Sequence, residues 1–418
     1  MSQCDNIPTL QQLEDTAVNS KVFNEVLTSR ASFTPTRATD GLSKRTFYAM
    51  QNEYEGNIQE AIAAAQSAAQ SASEASEIAG LDDVEQAVDY ALQNEMSNIV
   101  GHPLTEATGG KWVVHESTNG VPCVFYRMPA FSYDDLQIDN CPFTGVMDLF
   151  KNADGSIRPY HDFPVYMASS QNGDLVSVGG ASPVNRISYD EFLQQASDSG
   201  FQMHGVYERA CLNWLMSAND FQPRGNTEYG RSHEIYREFG RRQDGRVPND
   251  RDGEARTLTG SGPASWNHDG TDFGIADLVG NQWEWITGLK LVDGQFVVAE
   301  YHGQPEASWI NTGSFINADG VLDNSLVSGE RSSIDWSDIT KASGYTENDL
   351  LQRLCIEPID CTRVLKGRFY YDTSGERSPI VGGSWDYGSN AGPAALSLYN
   401  PRSLRYGGLG GRLAFRAL

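Results

Sequence analysis

The stretch that decides the fold is GNQWEW, residues 280–285, which lies inside the longer segment DFGIADLVGNQWEWITG. A turn-forming Gly-Asn pair precedes two tryptophans that flank one glutamate. Two interpretations are open, the wall of an active site or a buried brace that supports a site elsewhere. Indole rings bury a large apolar area and need one partner for the N–H, which Glu284 or a backbone carbonyl can supply. The residue types therefore favour the brace.

The composition is that of a soluble globular protein with a strong negative charge. The chain has 418 residues, of which 39% are hydrophobic and 21% charged. This length is sufficient for about two or three domains, each with its own core. The formal net charge is -24. Because nucleic acid and anionic membranes are recognised through basic patches, this charge argues against both as partners.

The cysteines and the first residues indicate where the protein is made. The cysteines are scattered and form no CxxC pair, so they predict reduced thiols rather than a zinc site. They are Cys4, Cys123, Cys141, Cys211, Cys355 and Cys361. The opening segment MSQCDNIPTLQQLEDTAV has no basic region followed by an apolar run, and no apolar stretch is long enough to cross a bilayer. We therefore expect assembly in a cytoplasm, with no secretory signal and no membrane insertion.

Changes in texture along the chain predict an N-terminal region, a helical segment and a C-terminal domain. Residues 1–56 are mixed and polar with turn signals. Residues 57–100 include NIQEAIAAAQSAAQSASEASEIAG, where Ile and Ala recur at heptad spacings. A lone helix with an alanine seam buries little area, so we expect a coiled coil of several copies; a flexible helical linker is the alternative. Residues 111–418 contain short β-rich runs separated by Gly, Asn and Pro.

The C-terminal domain combines predicted strands with predicted helices, which is an α+β pattern. The runs WVVHE, VPCVFYRMPAF and FPVYMASS predict strands. Ser188 and Glu191 form a capping box that opens a helix ending at Gly200. The segment GVYERACLNWLMSAND predicts a second helix packed on the sheet. Residues 311–360 resemble a polar, turn-rich insertion with one helix candidate at residues 347–355.

Three ordered motifs in this domain resemble a known enzyme family. They are RGNTEYGRSH (224–233), RTLTGSGPASWNHDGTDFGIADLVGNQWEWITGL (256–289) and VGGSW (381–385). GNQWEW resembles the GNxWEW hallmark of the formylglycine-generating enzyme family, and GGSW is similar to the second hallmark of that family. The resemblance implies a C-type lectin fold of the formylglycine-generating-enzyme-like variant over about residues 111–418. The scaffold residues that it implies are Gly280, Asn281, Trp283, Glu284, Trp285, Gly382, Gly383 and Trp385.

The catalytic cysteines of that family have no counterpart here. Those enzymes carry copper-binding cysteines just beyond GGSW, whereas the segment after Trp385 contains no cysteine. A thiolate is needed both to hold copper(I) and to carry the oxidation. HEIYRE is not HExxH, GxSxG is absent, and no glycine-rich phosphate loop precedes a helix. The sequence therefore predicts no catalytic residue and no enzyme, and an oxidoreductase of that class using other residues is the alternative.

The same resemblance implies a possible metal site beside the brace. Asp277, Gly280, Gln282 and Glu284 match positions that bind calcium in the enzymes, through two side chains and two backbone carbonyls. Oxygen ligands from a tight loop suit calcium chemically. A hydrogen-bonded turn without an ion is the alternative, so no cofactor is required and calcium is an option.

A second resemblance is closer than the first. The segments RGNTEYGR, RTLTGSGPASW, GIADLVGNQWEWITGLKLVDG and GGSWDYGSNAGPAALSLYNPRS are similar to the variable proteins of diversity-generating retroelements. Those are receptor-binding proteins with a C-type lectin fold, familiar from phage tail fibres. In such systems a reverse transcriptase copies a template and substitutes at adenines, so AAC codons for Asn become codons for many residues. The resemblance implies a variable region over about residues 382–412.

Dissimilar residues occupy the variable positions of this pattern, and each is reachable from AAC by changing adenines alone. They are Asp386, Tyr387, Ser397, Tyr399, Leu404, Arg405, Tyr406, Gly407 and Gly408. The resemblance implies that they contact a ligand. Ser397 and Tyr399 alternate with Leu396 and Leu398, so we expect one buried and one displayed face. Tyr and Arg are favoured contact residues; the alternative is that these aromatic loops only cap a core.

The N-terminal region completes the functional hypothesis. The segment RATDGLSKRTFYAMQ is similar to short modules near the start of phage tail-fibre proteins, which attach them to the virion. With the self-pairing helix, it implies a homotrimeric tail fibre in the virion. The partners would be a phage tail or baseplate protein and a host cell-surface receptor, protein or glycan. A bacterial surface-displayed ligand-binding protein and a structural tail protein without a diversified ligand are the alternatives.

Overall fold

A computed structural model describes residue 105 and residues 108–361 and 364–415 of the chain. The predicted virion-attachment region (1–56) and coiled-coil segment (57–100) lie outside the described residues. The described part is rich in β-sheet and holds a few short helices, which confirms the α+β expectation for it.

The described residues form many short strands and three α-helices. The helices are α1 (Tyr189–Asp198), α2 (Val206–Ala218) and α3 (Asp349–Arg353). The first nine strands are β1 (Trp112–Glu116), β2 (Pro122–Pro129), β3 (Tyr160–Pro164), β4 (Ser169–Gln171), β5 (Asp174–Val176), β6 (Gln202–Met203), β7 (Trp283–Trp285), β8 (Leu289–Val292) and β9 (Gln295–Val298). The remaining strands are β10 (Ile310–Ile316), β11 (Val321–Asp323), β12 (Arg331–Asp335), β13 (Thr340–Lys341), β14 (Arg368–Asp372), β15 (Glu376–Val381), β16 (Leu396–Asn400), β17 (Leu409–Gly411) and β18 (Leu413–Ala414). None of the helices in the described part of the chain is long and apolar enough to span a lipid bilayer.

The helices begin where the sequence predicts. The Ser188 side chain accepts a hydrogen bond from the Glu191 N–H, and the Glu191 carboxylate accepts one from the Ser188 N–H at 3.0 Å, which completes the capping box of α1. Gly200, just beyond α1, has a φ of +86°, a conformation that glycine adopts without strain. Helix α3 lies inside the predicted residues 347–355, and Asn348 caps it by accepting from the Leu351 N–H at 3.0 Å.

The largest sheet has eleven strands and extends through most of the described domain. Its path is β12-β14-β16-β15-β8-β9-β10-β11-β13, and β7 joins it through β15 while β17 joins β7. The segment predicted as an insertion, residues 311–360, contributes β11, β12, β13 and nearly all of β10 to this sheet. That segment is therefore continuous with the main architecture. Smaller sheets pair β1-β2-β3, β6 with β18, and β4 with β5.

The GNQWEW stretch lies at the meeting point of this architecture. Its strand β7 pairs antiparallel with β15, where Val381 faces Glu284, and parallel with β17, where Leu409 faces Trp283. The strand that precedes GGSW and the strand that follows the last variable position, Gly408, thus flank the same three residues. The motifs that the sequence singles out separately are neighbours in one sheet.

Both tryptophans of β7 are core residues. Trp283 is 1% exposed and Trp285 is 0% exposed, and the indole N–H of Trp285 donates to the Ile187 carbonyl at 3.0 Å. Truncating a buried tryptophan to alanine typically costs about 3–5 kcal/mol. The brace interpretation of GNQWEW is confirmed, and the N–H partner of Trp285 is a backbone carbonyl.

Candidate ligand-binding surface

A buried guanidinium fixes β7 and its surroundings. Arg412 is 0% exposed, and its Nε donates to Oε2 of Glu284 at 2.9 Å. The two terminal nitrogens donate to four main-chain carbonyls at distances between 2.8 and 3.3 Å. Those carbonyls belong to Pro164, Val165, Ala276 and Asp277. A buried carboxylate is stable only when its charge and lone pairs are satisfied, so Arg412 is what allows Glu284 to occupy this position.

A second polar cluster joins the RGNTEYGR motif to GNQWEW. The Asn281 side-chain oxygen accepts from the Thr257 N–H at 2.7 Å and from the Asn226 amide at 3.1 Å. The Asn226 oxygen in turn accepts from the Gly230 N–H at 2.7 Å. Gly280 has a φ of +71°, and a Cβ added there would lie 2.2 Å from the Asn226 carbonyl oxygen, so only glycine fits. These contacts make the separate motifs one rigid framework.

Of the residues that the resemblance implies for calcium, Asp277, Gly280 and Glu284 accept hydrogen bonds from neighbouring groups, whereas the buried side-chain oxygen of Gln282 has no partner. The Glu284 carboxylate and the Asp277 carbonyl accept from the Arg412 guanidinium, and the Gly280 carbonyl accepts from the Gln282 N–H at 2.8 Å. The Asp277 carboxylate accepts a main-chain N–H at 2.7 Å. A calcium ion needs six to eight oxygen ligands turned toward one point. Glu284 and the Asp277 carbonyl serve a guanidinium in this structure, and the calcium site stays a prediction.

The start of the variable region is held through its main chain. The Trp385 carbonyl accepts from the Tyr229 N–H at 2.7 Å, and the Gly388 N–H donates to the Thr227 carbonyl at 3.0 Å. Both partners belong to the RGNTEYGR motif. Between these anchors, Asp386 is exposed, whereas Tyr387 is partly buried and packs against the core.

The end of the variable region is anchored in the same way. The Tyr406 carbonyl accepts from the Arg186 N–H at 3.2 Å, and the Gly408 carbonyl accepts from the Trp283 N–H at 2.8 Å. The Gly407 carbonyl accepts from the Arg256 guanidinium. Since every residue type carries a carbonyl, these bonds survive substitution of the residues that accept them.

Tyr387 lies on an aromatic cluster at the surface of the framework. Its ring meets Trp283 edge-on at 5.1 Å and Tyr370 at 6.1 Å between centroids. Burial raises the pKa of Tyr370 to about 12 and also raises the pKa of Tyr387. Burial, together with the nearby Tyr387 and Asp386, raises the pKa of Tyr406 well above its usual range. The phenols therefore stay protonated at neutral pH and can both donate and accept hydrogen bonds.

Tyr399 is displayed, but the alternation predicted around it is not observed. The Arg331 guanidinium carbon lies 3.7 Å from the centroid of the Tyr399 ring in a cation–π contact, and Tyr399 is partly exposed. Ser397, expected on the displayed face, is 4% exposed, as buried as Leu396 at 8% and Leu398 at 0%. The reason is that β16 lies between β14 and β15, and the short serine stands beside the larger Tyr370 in register. The expectation of an exposed Ser397 is corrected accordingly.

The other variable positions divide between exposed and covered. Asp386 is exposed, and the Arg405 side chain is 55% exposed and pairs with Glu191 at 2.9 Å. Leu404 is half-buried against the core beneath α1. Gly407 is half-buried and Gly408 is buried, so Gly408 does not present a contact surface in this variant.

The structure shows direct proximity for part of the predicted set. Asp386, Tyr387 and Tyr406 are mutual electrostatic neighbours, while Leu404 and Arg405 follow on the loop toward α1. Tyr399 lies two residues from Ser397 on the sheet face that also carries Tyr370. We call this set the variable patch. It comprises Asp386, Tyr387, Tyr399, Leu404, Arg405 and Tyr406.

Sequence reasoning missed the contribution of β14 to this surface. Arg368 and Tyr370 are partly exposed, whereas Phe369 is 2% and Tyr371 is 0% exposed. The Arg368 guanidinium lies along the same face and bonds Asp335 of β12 at 2.9 Å. The signal was present in the letters RFYYD, where polar and aromatic residues alternate with core residues. This segment precedes the variable region, so the resemblance does not include it.

Comparisons with known proteins gave matches among solved structures alone. No family model matches the chain, and no curated protein matches it. The Major Tropism Determinant U1 variant has 12% identity and a TM-score of 0.27, with 70% of this chain and 62% of that chain covered. The M1 variant has 12% identity and a TM-score of 0.28, with coverages of 73% and 71%. The P3c variant has 14% identity and a TM-score of 0.25, with coverages of 70% and 62%. The chain therefore spans less than two thirds of the U1 and P3c chains, and its structure neighbours are Major Tropism Determinant variants at low identity and low TM-score.

Proposed function

We propose that this protein is a phage tail-fibre receptor-binding protein that grips a host-surface molecule through the variable patch on a C-type lectin scaffold. The observation that carries the proposal is the way the patch is held. Main-chain carbonyls of Trp385, Tyr406, Gly407 and Gly408 accept bonds from residues outside the variable positions. Side chains can then change while the backbone that presents them keeps its course.

The chemistry of the patch suits protein or glycan recognition. The phenols of Tyr387, Tyr399 and Tyr406 offer flat apolar faces with one hydrogen-bonding group each, and Arg405 offers a planar donor fork. The Arg405–Glu191 pair is exposed, so releasing it to a ligand costs little. No cofactor is required in this proposal, in which side chains of the chain itself contact the ligand.

The N-terminal segments supply attachment and copy number in this proposal. A homotrimer joined through residues 57–100 and fixed to a tail or baseplate protein by residues 1–56 would present three patches. Linked weak sites can gain about 10²–10⁴ in avidity without new contacts, which suits a ligand arrayed on a cell surface. The protein would then be a virion component assembled in the host cytoplasm.

We infer a binding protein rather than an oxidoreductase from the state of the thiols. Burial raises the pKa of Cys123 to about 11 and that of Cys361 to about 12, and it raises the pKa of Cys211 and Cys355 further. Copper(I) binding and thiol oxidation both need the thiolate, which these environments disfavour at neutral pH. Cys355 and Cys361 also precede GGSW instead of following it.

The test is competition for host adsorption by the purified full-length chain. Wild-type protein should block adsorption of the phage that carries it, and the double variant Tyr399→Ser/Arg405→Ser should lose that effect with its melting temperature kept. The matched control is Tyr236→Ser/Arg237→Ser, an exposed tyrosine and arginine outside the patch. Tyr236 also carries an arginine on its ring, Arg231 at 4.3 Å, so the control removes the same kinds of contact.

Two outcomes would contradict the proposal. One is a patch variant that competes as well as the control. The other is genomic: the DNA beside the coding sequence should hold a near-copy of the variable region with adenine-limited differences and a reverse transcriptase gene. If neither the near-copy nor the reverse transcriptase gene is present, the patch is not diversified and the protein binds a fixed ligand.

A further inference from the structure

Three side chains from distant parts of the chain converge at one buried point away from the variable positions. His161 lies on β3, Glu208 on α2, and His302 in the loop between β9 and β10. Each offers one ligand atom, and the three atoms lie within 4.8 Å of one another. Nε2 of His302 is 2.8 Å and Nε2 of His161 is 3.6 Å from the same oxygen, Oε1 of Glu208.

The imidazole of His161 is the observation that points to a missing partner. The residue is 3% exposed, and its Nε2 has no hydrogen-bond partner. The 3.6 Å separation from Glu208 is too long for a hydrogen bond. Buried polar atoms are almost always satisfied, so an unpartnered nitrogen aimed at a carboxylate indicates that a further species belongs between them. Neighbouring His204, 2% exposed, likewise has no partner at either ring nitrogen.

The forms of His161 and Glu208 are those that ligate a metal. Burial lowers the pKa of His161 to about 3, so its ring is neutral at physiological pH. Burial alone would raise the pKa of Glu208, but the hydrogen bond with His302 at 2.8 Å helps to hold it below its usual range. A neutral imidazole and an ionised carboxylate are the ligating forms of these side chains.

We propose that His161, Glu208 and His302 bind one divalent transition-metal ion, for which zinc is the best fit. Two imidazoles and one carboxylate form a His₂Glu donor set that zinc uses widely, and imidazole is a poor ligand for calcium or magnesium. Tetrahedral zinc with bonds of about 2.0–2.1 Å holds its ligand atoms about 3.3 Å apart. The separations of 2.8 and 3.6 Å from Oε1 of Glu208 lie on either side of that value, and the three ligand atoms lie within 4.8 Å of one another. Binding would bring all three to about this tetrahedral spacing through side-chain shifts.

The site is open to solvent on one side and lies between three structural elements. The His302 side chain is 11% exposed, against 2% for His161 and 1% for Glu208, so the site opens to solvent on the His302 side. An ion there ties β3, α2 and a loop together. Since the unfolded chain does not hold these three residues in place, binding stabilises the folded scaffold. The site is independent of the proposed receptor binding and uses other residues.

The test uses the untagged full-length chain, stripped of metal by a chelator and dialysed. Titration calorimetry with ZnCl₂ should give one ion per chain, and added Co²⁺ should give the visible absorption of a low-coordinate site. Zinc at a hundredfold excess over its Kd should raise the melting temperature by about 4 °C for a domain of this size.

Two variants separate metal binding from folding. Glu208→Gln keeps the bond from the Gly205 N–H that caps α2, and His302→Gln alters a side chain that reaches solvent. Each should weaken zinc affinity by at least about 100-fold and abolish the zinc-dependent rise in melting temperature. His233→Gln, an imidazole outside the cluster, is the matched control and should bind zinc like the wild type. If Glu208→Gln does not fold, His302→Gln decides. A wild-type chain that takes up no zinc, or variants that bind it as the control does, would overturn the proposal.

Discussion

Replacing Arg412 by methionine should destabilise the protein more than its single charge suggests. Methionine fills much of the same volume but leaves the buried Glu284 carboxylate without its ion-pair partner. Removing one partner of a buried ion pair typically costs about 3–5 kcal/mol. Four carbonyls also lose their donor, so this range is a lower bound.

The size of the effect is measurable by thermal and chemical unfolding. A domain of about 300 residues has an unfolding entropy of about 0.6 kcal/mol/K. A loss of about 3–5 kcal/mol in unfolding free energy therefore lowers the melting temperature by about 5–8 °C. Guanidinium chloride unfolding followed by tryptophan fluorescence gives the free energy directly, because Trp283 and Trp285 lie on the strand that bears Glu284.

A double-mutant cycle distinguishes the ion pair from simple loss of packing. Arg412→Met, Glu284→Met and the combined variant should show a coupling energy of about 1–3 kcal/mol, with the double variant more stable than the two single losses predict. Arg412→Lys should recover little, since an ammonium has three donors and no planar fork to reach the same acceptors. A shift under about 2 °C for Arg412→Met, or a coupling energy of zero, would refute the reasoning.

Three further outcomes follow from the same framework. Burial raises the pKa of Asp277 to about 6, so the folded state holds a proton that the unfolded chain releases, and stability attributable to this group falls as pH rises from about 4 to about 6. Asparagine does not ionise, so the unfolding free energy of Asp277→Asn relative to the wild type should increase by about 3 kcal/mol between pH 4 and pH 7.5. Chemical unfolding at the two pH values measures this change, and a relative stability that is the same at both would contradict the prediction. Gly383→Ala should lower the unfolding free energy by at least about 1–3 kcal/mol, because φ is +92° and the new Cβ would lie 2.5 Å from that of Ala391. The control Gly375→Ala has a φ of +70° but open space around the new Cβ, so its loss should be smaller. Equal losses in the two variants would rule out the clash. Arg405→Ala should change the melting temperature by less than about 2 °C, since its ion pair is solvent-exposed, and a larger drop in a thermal scan would show that this residue supports the fold.

The local features of this fold could be predicted from sequence because their causes are local. The capping box at Ser188 and Glu191 requires only residues three apart, and the structure has it where the letters predict it. The burial of GNQWEW follows from two indoles that need an apolar environment. In each case the relevant chemistry lies within a few residues.

The features that sequence reasoning missed depend on partners far along the chain. Ser397 is buried because β16 is central in a sheet and Tyr370 stands beside it, which no alternation rule contains. Arg412 and Glu284 are 128 positions apart, and neither is marked by its neighbours. His161 and His302 lie far apart in the sequence, and the fold alone brings them to Glu208.

The position of β7 also limits how the variable segment can change in evolution. Strand β15 enters the segment with Val381 in register with Glu284, and β17 leaves it with Leu409 in register with Trp283. The main-chain carbonyls of Tyr406, Gly407 and Gly408 accept their bonds immediately before β17, so a residue added or removed among them would move these acceptors away from their donors. Exchange of one residue for another leaves the same carbonyls in place, so this end of the segment can change its side chains while the main chain keeps its anchors.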